Sequence, residues 1–213
     1  MKSACFILCL SLQCAFATPN SEALYSEAQR IVSTFKESVY DHRNVANEST
    51  QSYRFNCSGF VGYVLKKIHQ KEALNDIPID RGHTRARAQN FYDYFQALKP
   101  DNPRWEAVLD VSKLERGDII AWKFDASLGK LDTGHVVIVA QKPEMEAPQI
   151  YRVRVIDSTT ARHDNDSRMA GYDGLGMGDM RFRVNEIGGI TGIFWSTITK
   201  KESHHLVAMG RIK

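Results

Sequence analysis

The stretch RFNCSGFVGY, residues 54–63, decides how this chain reads. Cys57 stands between Asn56 and Ser58, ahead of Gly59, Phe60 and Val61. Phe60, Val61, Val64, Leu65 and Ile68 recur at i, i+1, i+4, i+5 and i+8, which is one apolar face of a helix. Gly59 and Gly62 each weaken that helix by roughly 1 kcal/mol, which makes sense where a helix packs closely against something. Cys57 therefore falls at a helix N-terminus, with Asn56 as a cap. The positive end of a helix dipole favours the thiolate form of a cysteine, and its free N–H groups suit a developing oxyanion. Such a position fits a nucleophile if a base can reach it.

The cysteine count bears on the same question. The first residues, MKSACFILCLSLQCAFATPN, run from a lysine through an apolar segment to Ala15-Phe16-Ala17. That layout predicts a secretory leader, residues 1–17, cleaved after Ala17. The apolar run is too short to span a bilayer as a mature helix. A lipoprotein reading through Cys14 is disfavoured by the poor match of Ser11-Leu12-Gln13 before it. Of Cys5, Cys9, Cys14 and Cys57, only Cys57 would remain in residues 18–213. One thiol forms no internal disulfide. A reactive thiol and a buried inert one both stay open on the count alone.

The 213 residues carry 43% hydrophobic and 25% charged side chains and a formal charge of +3. Those values suit a folded chain without a strongly charged partner, and no nucleic-acid partner is expected. Arg81, Arg85 and Arg87 form the densest basic cluster and read as one solvated helix face. No repeat, low-complexity segment or linker divides the chain, so a single domain over 18–213, a monomer without stable membrane insertion, is expected.

Periodicity places a helix over Ser21–Tyr40, a loop over 41–52, the Cys57 helix, and a third helix over Thr84–Leu98. Strands are expected over 117–124, 135–141, 149–157, 180–185, 190–198 and 205–212. The glycine- and acid-rich segment over 160–179 reads as a long loop. Helices first and strands afterwards indicate an α+β fold with a mostly antiparallel sheet of about five to six strands.

Seven histidines are candidates for the base. His42, His69 and His83 fall in polar surroundings, and His204 and His205 open the last strand. His163 lies in the 160–179 loop. His135 differs: it follows Gly134 and opens the apolar strand HVVIVA, a rigid place to hold an imidazole, although a satisfied histidine at the core edge reads the same way. Asp157 ends the next strand beside Ser158 and Thr159, where it could orient that imidazole or cap a turn. A metal set of His135, Asp157, His163 and Asp164 lacks paired short-spaced ligands, so neither metal nor cofactor is expected.

Taken in order, FNCSGFVGYVL, LERGDIIAW and TGHVVIVAQ resemble the blocks of the NlpC-type cell-wall cysteine peptidases, papain-like enzymes related to the CHAP-type amidases. The resemblance covers about residues 35–160. It implies a papain-like fold with Cys57 as nucleophile, His135 as general base and Asp157 as the imidazole-orienting member. It implies substrate contacts at Tyr40 and Ser58; Gly134 beside the base, and His163 in a loop expected to border the cleft, are further candidates for substrate contact. It also implies an exported, periplasmic or secreted bacterial hydrolase that cuts an amide bond of peptidoglycan stem peptides, with the muropeptide as its partner. Asn56 stands where that family usually has aspartate, and Arg116 where it has proline. Segments 75–112 and 160–179 read as insertions. A silent or binding version of the same fold, and an amidase or acyltransferase of the superfamily, share these residues.

Overall fold

The computed structural model describes residues 17–124, 133–199 and 201–213. The expected leader thus lies almost entirely outside the described residues. Among them are four α-helices: α1 (Pro19–Thr34), α2 (Cys57–Lys67), α3 (Lys71–Asn75) and α4 (Ala88–Gln96). No helix among them is long and apolar enough to cross a membrane.

The twelve strands are β1 (Glu37–Tyr40), β2 (Val45–Asn47), β3 (Ser52–Phe55), β4 (Trp105–Val108), β5 (Ile119–Lys123), β6 (Gly134–Val139), β7 (Glu144–Ala147), β8 (Ile150–Thr159), β9 (Gly174–Val184), β10 (Ile190–Phe194), β11 (Glu202–Ser203) and β12 (Leu206–Ile212). The first three form a small sheet in the order β1-β3-β2. The other nine form the main sheet, β11-β10-β9-β8-β6-β5-β12-β4, with β7 added to β8, and every pairing in it is antiparallel. The fold is α+β, as expected, but the five to six expected strands are too few. The additional ones, β1, β2, β3, β4, β7 and β11, are two to four residues long, too short to show a period in the sequence.

The expected helix over 21–40 stops at Thr34. Phe35 is already extended, and Lys36 N–H donates to Gln51 O at 3.0 Å, which starts the parallel pairing of β1 with β3. Long-range pairing here overrides helical spacing. The third helix begins at Ala88 rather than Thr84, because Asn90 Oδ1 accepts the Arg87 N–H at 2.8 Å and fixes the start there. The strand expected over 180–185 begins six residues earlier, at Gly174. The supposed loop over 160–179 is therefore a loop over 160–173 followed by strand. Segment 75–112 supplies α4 and β4, and its Phe91, Phe95 and Trp105 are fully or almost fully buried.

Alternation along β6 explains the two cores. Val136 and Ile138 join Leu24, Phe60, Leu65 and Phe91 beneath the helices. Val137 and Val139 join Trp122, Val155, Met180 and Phe182 on the other face. Each such buried side chain contributes roughly 1.5–3 kcal/mol relative to exposure. β10 also approaches β12, from which four strands separate it in the sheet order, so the sheet curls and encloses the second core. Its one charged strut is Arg211, whose Nε and Nη2 donate to Asp118 Oδ1 and Oδ2 at 2.8 and 2.7 Å. Gly117, at φ +82, lets α1 close over this region: a Cβ there would lie 1.7 Å from Ser21 O. The Gly117-Asp118 pair of the second sequence block thus ties the N-terminal helix and the last strand to β5.

Candidate active site

Asn56 caps α2 as its sequence suggests, with Oδ1 accepting the Gly59 N–H at 2.9 Å. The close approach anticipated at Gly59 is to Asn44, whose Oδ1 would lie 1.6 Å from a Cβ at that glycine. The same Asn44 Oδ1 accepts the Asn56 N–H at 3.1 Å, so the cap is itself held in place. Cys57 opens the helix, is 5% exposed, and is the one free cysteine among the described residues.

The structure brings Cys57, His135 and Asp157 together. The register Ile138↔Ile156 continues to place Val137 opposite Asp157, so His135 is the diagonal neighbour of Asp157 on one face of the sheet. His135 Nε2 lies 2.7 Å from Asp157 Oδ2. A carboxylate only accepts, so Nε2 carries a proton and Nδ1 is the nitrogen left for the thiol. Cys57 lies close enough to His135 to bear on the charge of its ring. Burial works against a charge on His135, but the neighbouring Cys57 sulfur and the bond to Asp157 outweigh it and push the imidazole up to about 10. His135 also lies between two indoles, with ring centroids 5.2 Å from Trp122 and 5.1 Å from Trp195.

Asp157 is fully buried and held from two further directions. His163 Nε2 lies 3.0 Å from the same Oδ2, while Arg168 Nη2 donates to Oδ1. Burial alone would raise the carboxyl, but His163, Arg168 and the bond from His135 hold it well below its ordinary range. Arg168 is fixed in turn by Nη1 donating to Asp166 Oδ2 at 2.7 Å and Nε donating to Gly174 O at 3.0 Å.

The glycines of β9 make this possible. Gly174, Gly176 and Gly178 share one face of the strand, opposite Thr159, Asp157 and Val155 of β8. A Cβ on Gly176 would lie 2.4 Å from Arg168 Nε, and one on Gly178 would lie 2.7 Å from His163 Cβ. The loop over 160–173 lies against that bare face and delivers His163 and Arg168 to the carboxylate. Period-two glycines in GLGMGD, residues 174–179, were the available sign that this segment is a strand accepting another layer.

The expected substrate contacts fare differently. The His163 side chain has no exposed surface and sits behind Asp157, so it holds the carboxylate rather than lining an open wall. Gly134 serves the backbone: at φ +148, its Cβ would lie 1.9 Å from Trp122 O. Gly134→Ala should therefore cost about 1–3 kcal/mol or more, read as a lower urea midpoint, and should slow alkylation of Cys57 by displacing His135. Ser58 is buried, and its Oγ accepts from Arg85 Nη1 at 2.7 Å. Tyr40 ends β1 opposite Phe55, half-buried, with its ring centroid 5.5 Å from that of His42 in an edge-to-face contact.

Arg81, Arg85 and Arg87 do not form a helix face. All three precede α4, Arg85 turns in towards Ser58, and Arg87 pairs with Asp80 at 2.8 Å. Sequence reasoning gave no role to Arg168, Trp122 or Trp195. Their places depend on how β5, β8, β9 and β10 meet, which spacing along the chain does not carry. Among the described residues, no three His, Cys, Asp or Glu side chains are arranged to hold a metal ion. No family model matches this chain, and no curated protein or solved structure shows significant similarity to it.

Proposed function

We propose that this chain is an exported cysteine hydrolase that cuts an amide bond in peptidoglycan stem peptides or a related peptide, built on a papain-like arrangement. The observation that carries the reading is the pairing of a helix-start thiol with an imidazole whose other nitrogen lies 2.7 Å from a fully buried carboxylate. The three sequence blocks support the substrate class.

In this mechanism His135 holds the proton of the Cys57 thiol, and the sulfur attacks the amide carbonyl carbon. A C–S bond forms, and the carbonyl oxygen becomes an oxyanion facing the N–H groups at the open start of α2, where Asn56 takes those of Gly59 and Phe60. The C–N bond then breaks as His135 gives its proton to the leaving amine. Water, losing a proton to His135, cleaves the thioester and restores the thiol. Asp157 keeps the imidazole in the tautomer this needs.

Digestion of purified peptidoglycan, with mass spectrometry of the released fragments, tests the reading and names the bond. New amine and carboxyl ends should appear, separated by one water in mass. Prior alkylation of Cys57 with iodoacetamide should stop their formation. Fragments that appear at the same rate after full alkylation would rule the mechanism out.

A further inference from the structure

Arg85 stands out among the arginines of this protein. Every other buried or half-buried arginine has a carboxylate within ion-pair distance. Arg85 is half-buried and has none among the described residues. Its Nη1 donates to Ser58 Oγ at 2.7 Å and to Ala86 O at 3.1 Å, and these neutral acceptors leave Nε and Nη2 without a protein partner there. Burial pulls its guanidinium below the ordinary value and Arg87 adds to that pull, while the nearby Cys57 and Tyr40 act the other way.

The space beside it matches that charge. A cavity of about 380 Å3 adjoins the start of α2 and is lined by Arg85, Ser58, Gly59, His42, Arg43 and Lys66, among others. No Asp or Glu lines it. Arg43 is spent on Asp41, at 2.9 Å from Nε to Oδ2, whereas Lys66 has no ion pair among the described residues. A cation left uncompensated in a partly buried wall is costly unless a ligand supplies the missing charge. An arginine fork with two unused N–H directions suits a planar carboxylate.

We propose that Arg85 anchors a carboxylate of the substrate, so that the preferred peptide carries a free carboxylate on a residue flanking the amide that Cys57 attacks. The inference rests on Cys57 being the nucleophile, and it adds a charge requirement to the substrate.

Two alkylating reagents that differ only in charge test it on the full folded protein. Iodoacetate carries a carboxylate and iodoacetamide an amide. In both cases the Cys57 sulfur forms the new C–S bond and iodide leaves with the C–I electron pair. The iodoacetate-to-iodoacetamide rate ratio should be higher for the folded protein than for the urea-unfolded chain. In Arg85→Gln the ratio should fall by about tenfold, the scale of one charge-assisted hydrogen bond, and Arg85→Lys should keep part of it. His135 is present in all three proteins, so its charge cancels in this comparison.

A measurement on the unmodified protein needs no variant. N-acetylalanine should protect Cys57 from iodoacetamide better than N-acetylalaninamide does. An unchanged ratio in folded Arg85→Gln, or equal protection by acid and amide, would overturn the proposal while leaving the nucleophile in place. Iodoacetamide reacting no faster with the folded protein than with the unfolded chain would sink both.

Discussion

Cys57→Ala should take amide hydrolysis to the background rate while the urea midpoint stays near that of the parent protein. Removing the nucleophile of a comparable serine hydrolase costs on the order of 10⁶ in kcat, and a loss of that scale is expected here because no second thiol lies among the described residues. The cost to the fold is small because the sulfur is a minor part of the core beside Phe60, Leu65 and Phe91. The cap from Asn56 to Gly59 and the bond from His135 to Asp157 do not involve it. The check is a paired measurement: product release by mass spectrometry and unfolding by urea. Residual activity within tenfold of the parent would mean the chemistry lies elsewhere.

Asp157→Ala should reverse that pattern and damage the fold itself. The carboxylate is fully buried and meets His135, His163 and Arg168 at once. Breaking a buried ion pair by removing one partner costs roughly 3–5 kcal/mol, because the remaining charge stays buried without compensation. Arg168 would keep Asp166 at 2.7 Å, which softens the loss without removing it. Against a total stability of about 5–15 kcal/mol, the variant should show a much lower urea midpoint and poor soluble yield. Asp157→Asn keeps the shape and removes the charge. In it the His135 imidazole, followed by NMR, should titrate closer to its ordinary 6.5, because the negative charge that supports the imidazolium is lost. A parent-like midpoint in Asp157→Ala would show that the cluster contributes little to folding.

The parts of this arrangement that sequence revealed are those with local causes. The helix at Cys57 follows from its apolar face and its asparagine cap, and β6 from the unbroken apolar run after His135. Asp157 was legible because the β8 run is long and regular, although the strand continues past it to Thr159. The small sheet was not legible, since β1, β2 and β3 span three or four residues each and draw their order from pairing with one another. The burial of His163 and the role of Arg168 were hidden for a related reason. A polar loop reads as solvated until the strand beneath it is known to lack side chains, and that depends on the β8–β9 register. Arg85 was misjudged because a helix was extended over four residues that instead run along the edge of the cleft.

The bare face of β9 has a further consequence for motion. With Gly174, Gly176 and Gly178 offering only backbone, the loop over 160–173 is retained chiefly by polar contacts: His163 and Arg168 to Asp157, Arg168 to Gly174 O, and a short bridge between Asp164 and Asp179. Such contacts break together, because each depends on the loop lying flat. Opening of this segment would strip Asp157 of His163 and Arg168 and leave His135 as its remaining charged partner.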